Sequence, residues 1–165
     1  MTTENAIKLC LWTLFVSAVC ALNACSNEPG LKTALGDYNY TIAGSARIYD
    51  VKQDFAFQAR LTPENGTMTI VRGEEKEHAT ISFWSNNGDA YTLNAIISHD
   101  TVFIDQSYRD IYVDEAKSLF SIAVNGEGRL LSNGDINILL YYNGRAHNAE
   151  YVLTASQIQL LAKKQ

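Results

Sequence analysis

The chain has 165 residues, of which 18 are acidic and 13 basic, for a net charge of −5. That length suits one domain behind a short leader, and an acidic chain without a basic stripe argues against nucleic acid as a partner. All three cysteines, Cys10, Cys20 and Cys25, lie at the N-terminal end, so the rest of the chain has no disulfide, thiolate metal site or cysteine nucleophile.

The first eight residues are polar, and 14 uncharged residues follow, Leu9 to Leu22. A bilayer span needs about 20 apolar residues. A secretory signal uses an apolar region of roughly 7 to 15, followed by small residues at a cleavage site. The run therefore reads as a removable leader. It ends in Leu22-Asn23-Ala24-Cys25 and gives way at once to "SNEPGLKTALG". That ending resembles the lipobox of bacterial lipoproteins, with an aliphatic residue three before a cysteine and a small residue just before it. Asn23 departs from the pattern, where a small or aliphatic residue is commoner. The resemblance implies a signal peptide over residues 1–24 and a lipid anchor on Cys25. It further implies that the new N-terminus is acylated, and Ser26 is similar to the outer-membrane sorting signal of related lipoproteins. Each buried CH₂ contributes about 0.8 kcal/mol, so two or three acyl chains hold firmly without a spanning segment. Residues 25–36 then read as a polar tether, with the membrane as a partner through the lipid.

From residue 37 onward the chain alternates apolar and polar residues over short runs. In "DFAFQARL", Phe55, Phe57, Ala59 and Leu61 share a face. Ala79, Ile81 and Phe83 do so in "HATISFW", and Tyr91, Leu93, Ala95 and Ile97 in "DAYTLNAIIS". Ile136, Ile138, Leu140 and Tyr142 do so in "DINILLYY". Such alternation reads as half-buried antiparallel strands. The expected strands are 37–49, 53–61, 66–72, 77–84, 89–98, 101–105, 109–113, 118–124, 128–132, 135–142 and 146–154, some of them merging to leave eight to ten. Asn-Gly occurs five times, at 65–66, 87–88, 125–126, 133–134 and 143–144, and is the favoured pair for tight hairpin turns. Pro63 is expected in the turn "TPENG", outside the ladders. The tail "TASQIQLLAKK" can be read as a capped helix or as a strand, and the strand is preferred. The connections are too short for parallel crossovers. The expected fold is all-β over 37–165, an up-and-down antiparallel meander closing into a small barrel, with a β-sandwich as the alternative.

The segment "VNGEGRLLSNGDINILLYYNGRAHNAEYVL" looks like small lipoproteins of Bacteroidota, some of which have a calycin-like β-barrel. The resemblance implies a fold and a cell envelope, not a reaction.

Candidate chemistry is sparse. His78, His99 and His147 are the only histidines. "SHD", Ser98 to Asp100, has the residue types of a hydrolytic triad, but neighbours on a strand point in alternating directions. It reads as a hairpin tip. "GEEKEH", Gly73 to His78, lacks the alternating ligands of a calcium loop and reads as a solvated hairpin loop. "IDQSYRDIYVDE" gathers Asp105, Asp110, Asp114 and Glu115 near Arg109 and Tyr108, and paired carboxylates held across a bond are the residue types of glycoside hydrolysis. Neither metal nor cofactor is expected. Tyrosines are the better clue. A barrel of eight strands either fills its interior or holds one small ligand, and Phe57, Phe83 and Tyr91 are the candidate lining of such a pocket. The leading expectation is a non-enzymatic envelope lipoprotein that binds a small apolar ligand or an envelope partner. The alternatives are a structural or interaction lipoprotein with a filled core, and a hydrolase using the acidic segment.

Overall fold

The computed structural model describes residues 30–165, so the leader and Cys25 lie outside the described residues. A short helix α1 (Leu31–Ala34) precedes eight strands: β1 (Gly36–Asp50), β2 (Phe55–Arg72), β3 (His78–Ser85), β4 (Ala90–Ser98), β5 (Thr101–Val113), β6 (Ser118–Leu130), β7 (Ile136–Ala146) and β8 (Tyr151–Lys164). Each strand pairs antiparallel with the next, and β8 pairs back onto β1, giving a closed up-and-down barrel and not a sandwich. Closure leaves no strand unpaired along its whole length on either side.

Several expected strands merge. Residues 53–61 and 66–72 are one strand, β2; 101–105 and 109–113 are β5; 118–124 and 128–132 are β6. The tail is a strand, as β8 runs to Lys164. Only two of the five Asn-Gly pairs make turns. Gly88 and Gly134 sit there with φ of +93° and +88°, which suits a residue without Cβ. The other three pairs fall inside β2, β6 and β7. Their glycines serve close approach between strands. A Cβ on Gly66 would lie 2.0 Å from the Trp84 carbonyl oxygen, and one on Gly144 would lie 2.3 Å from that of Ser121.

The barrel has two unlike ends. At one end all eight strands contribute. β3 pairs with β2 only over Gly66–Arg72, and β4 with β5 only from Ala95↔Ile104 to Ser98↔Thr101. The β3–β4 hairpin therefore stops half-way along the barrel. Beyond it the wall has six strands, and β2 and β5 face each other without a shared ladder. The eight-stranded end is filled by buried side chains, among them Tyr38, Met68, Ile81, Ile97, Ile136 and Ile138.

Helix α1 closes this end. Leu31 and Ala34 are buried. The Tyr38 hydroxyl donates to the Ala34 carbonyl at 2.7 Å, and the Lys164 ammonium donates to the Thr33 carbonyl. Residues 31–36, expected within the tether, are thus part of the domain. Their polar average hides two apolar residues three apart, which one helical turn places on the same side.

Candidate functional site

The barrel changes character at a belt of β-bulges. In β2 the register with β1 runs Ile42↔Glu64 and then Gly44↔Leu61, one residue longer on β2. Below the bulge the inward residues are Ala59 and Leu61; above it they are Glu64, Met68 and Ile70. An extra residue in a strand reverses which side chains face inward. Pro63 sits within this bulge, not in a turn, where it interrupts no ladder bond. The same device recurs in β5, between Ile104↔Gly126 and Ser107↔Val124. There Val102 and Ile104 face inward before the bulge and Arg109 and Val113 after it. A third bulge lies in β8, between Leu140↔Ile158 and Tyr142↔Ala155.

The bulges in β2 and β5 turn two charged residues into the barrel, and these meet. Arg109 Nη2 donates to Glu64 Oε2 at 2.7 Å, with side chains only 13% and 14% exposed. Glu64 Oε1 accepts from the hydroxyls of Tyr40 at 2.6 Å and Tyr91 at 2.8 Å. The Arg109 guanidinium lies 3.9 Å from the centre of the Tyr91 ring. Tyr91 stacks on Phe83 at 4.7 Å, and Phe83 meets Tyr40 edge-on at 5.0 Å. The carboxylate thus has three donors and the cation an aromatic face. Among the described residues no buried side-chain polar atom lacks a partner, so the cluster is held in one arrangement.

Electrostatics keeps these groups in fixed protonation states. Burial pushes the Tyr91 phenol well above its ordinary range and Tyr40 likewise, reinforced for Tyr40 by its bond to Glu64. Burial pushes Tyr142 up to about 12. Burial alone would pull Arg109 down, but Tyr91 and Glu64 beside it outweigh that and hold it above its ordinary value. At neutral pH the tyrosines are donors and Arg109 is a cation.

Beside this cluster a cleft of about 490 Å³ opens between β2 and β5. Ile42, Leu61, Tyr142 and Ile158 give it an apolar floor, and Glu64 and Arg109 form one wall. Asn87 and Asp89 of the β3–β4 turn, with Asp114 after β5, sit at the rim. The far side is tied by two bonds across the gap. The Arg60 amide donates to Glu115 at 3.0 Å, and the Thr62 hydroxyl donates to Asp114 at 3.1 Å. An apolar concavity with a few fixed polar groups is the usual form of a small-molecule site.

Of the expected lining residues, Phe83 and Tyr91 come together, behind the ion pair. Phe57 is elsewhere, half-buried at the six-stranded end and edge-on to Tyr151 at 5.8 Å. Glu64, Arg109 and Tyr40 were not singled out together by sequence, because alternation places Glu64 and Arg109 outside. The available signal was the slip in period around Pro63 and again around Gln106.

The other motifs resolve simply. "SHD" is the β4–β5 hairpin tip, where Asp100 pairs with Arg129 at 2.6 Å. "GEEKEH" spans the β2–β3 turn and enters β3 at His78. Among the described residues no three His, Cys, Asp or Glu side chains are placed to hold a metal. A different trio does meet: Ser121 Oγ donates to Asp110 at 2.6 Å and lies 2.9 Å from His147 Nε2. Asp110 is 3.5 Å from that same ring nitrogen. In a triad the carboxylate orients the opposite nitrogen, so this trio lacks the relay geometry. The Ser121 bond, with His147 adding to it, holds the Asp110 carboxyl below its usual range.

No protein-family model and no curated protein matches the chain. Among solved structures it is similar to the vaccine antigen transferrin binding protein B of Haemophilus parasuis, with a TM-score of 0.42 and 14% identity. The match covers 84% of this chain and 29% of that one, so this chain spans under a third of that protein's length.

Proposed function

We propose that the protein is a lipid-anchored envelope lipoprotein whose barrel binds a small, largely apolar ligand and does no chemistry on it. The observation that carries this reading is the cleft between β2 and β5, apolar below and walled by the Glu64–Arg109 pair. The pair is already neutralised, and the rim carries Asp89 and Asp114. A free anion would meet repulsion there, so the ligand class is a neutral or cationic molecule with an apolar body. The anchor reading rests on the lipobox. Cys25 lies five residues before Gly30, a reach of at most about 17 Å. Since Gly30 leads directly into α1, the eight-stranded end would face the bilayer and the cleft would open away from it.

Nile red, a neutral apolar dye, provides the first test. Its fluorescence should rise on titration with the protein. Ile111→Trp, which projects into the cleft from the inward side of β5, should weaken that binding at least tenfold. A dye that does not bind, or that binds both proteins alike, would sink the ligand reading. Native mass spectrometry of protein purified without extraction should show a bound molecule of neutral or cationic type. Separately, Cys25→Ala should abolish acylation and membrane retention, and unchanged retention would defeat the anchor.

A second reading has its own observation. Residues 55–61 of β2 pair only with β1, and residues 107–113 of β5 only with β6. Such edges can take an added strand from an envelope protein, and the exposed Phe55 and Tyr112 lie on them.

A further inference from the structure

A second concavity lies on the outside of the barrel, and its chemistry differs from that of the cleft. The bulge belt bends the wall, and across the bend β1, β2 and β5 to β8 enclose a groove of about 840 Å³. No acidic residue lines it, although the chain has 18 of them. Its polar side chains are mostly neutral amides and hydroxyls, with Arg47 as the one charge. Ala123 is a small, partly exposed lining residue that leaves room for a ligand to approach the wall. Tyr49 and Tyr141 add two aromatic rings.

We propose that this groove binds an oligosaccharide of neutral or weakly acidic character. Vicinal hydroxyls of a sugar donate and accept at once, and Asn and Gln amides offer one acceptor and two donors each. Aromatic rings provide apolar faces for the C–H face of a pyranose, with a polar tip beside them. The side chains of Asn125, Asn143 and Gln157 make no hydrogen bond among the described residues, so their amides are available. A peptide is the poorer fit. Under most of the groove β6, β7 and β8 have partners on both sides, and the open edge of β2 reaches it only at Gln58, so an added strand would lie at its border and not along it. The groove shares Tyr142 with the cleft between β2 and β5, but its polar lining is its own, so the outcome of the glycan test leaves the cleft reading untouched.

The test is a glycan microarray carrying bacterial, plant and host oligosaccharides, probed with the full purified protein and followed by calorimetry on the best responder. Binding to at least one oligosaccharide is expected. Asn143→Ala and Asn125→Ala should each weaken it about fivefold, the effect of losing one hydrogen bond. Both residues are exposed, so these variants should keep the parent melting temperature. Ile111→Trp, in the cleft and absent from the groove lining, should leave glycan binding unchanged. The proposal is overturned by an array without responders, by binding that both Asn variants retain, or by a responder that an unstructured peptide library displaces.

Discussion

The two ends of the barrel are built from the same strands and solve different problems. At the eight-stranded end the interior is dry and filled, and α1 lies over it with Leu31 and Ala34 buried. At the six-stranded end the hairpin β3–β4 is missing from the wall, and charged side chains take its place: Glu64 with Arg109, and Asp114 and Glu115, after β5, which accept bonds from Thr62 and Arg60 of β2. The contrast teaches that closing a barrel by hydrogen-bonded ladders and closing it by side chains leave different surfaces. Ladders leave a core; side chains leave a cleft with fixed polar groups.

The largest expected effect tests the filled end. Ile138→Ala should cost about 3 to 4 kcal/mol in denaturant unfolding, within the range for a buried large-to-small change. Ile111→Ala, half-buried beside the cleft, should cost under about 1.5 kcal/mol, since water can occupy the space vacated. Equal costs would erase the distinction between the ends.

The ion pair comes next. Arg109→Met should destabilise by about 3 kcal/mol, because it leaves Glu64 buried without its cation. Glu64→Gln with Arg109→Met should regain at least half of that. The amide oxygen still accepts from Tyr40 and Tyr91, and no charge remains. A double variant as unstable as the single one would show that the pair itself holds the six-stranded end together.

The smallest effect at neutral pH, and the widest in range, concerns the tyrosines. Burial holds Tyr38 and Tyr142 at about 12 in the fold, against about 10 for a phenol in an unfolded chain. The stability they contribute is whole below pH 10 and drains as pH rises through 12. The denaturation midpoint should therefore hold steady from pH 8 to 10 and fall beyond it. Absorbance at 295 nm should follow the ionisation of Tyr38 and Tyr142 over the same range. Because Tyr38 lies at the filled end and Tyr142 on the cleft floor, simultaneous ionisation would indicate that both ends open in one transition. A midpoint unchanged to pH 12 would contradict the burial of both.

Much of the fold was legible. Alternation located β1 to β7, and the inward residues of β3, β4 and β7 are the ones the period assigned; the expected strand 146–154 instead straddles the turn between β7, which ends at Ala146, and β8, which begins at Tyr151. The breaks read as gaps between strands in β2 and β5 are bulges within them, since a period of two slips by one residue wherever an extra residue enters. Asn-Gly signalled turns at 87–88 and 133–134. Elsewhere its glycine marks close strand approach, a spacing that depends on the neighbouring strand and leaves no trace in the local sequence.

The site was less legible for the same reason. Phe83 and Tyr91 could be picked out as inward aromatics, whereas Glu64 and Arg109 fall on the outward side of any uninterrupted alternation. By itself, the sequence determined the all-β class, the antiparallel order and much of the apolar core. Those follow from local period, turn chemistry and composition, which need no partner in space. Only the tertiary structure decided which strands stop short, where the bulges fall, and that a carboxylate and a guanidinium 45 positions apart meet at 2.7 Å. Those depend on the register between strands, and register is a property of pairs of strands and not of either one.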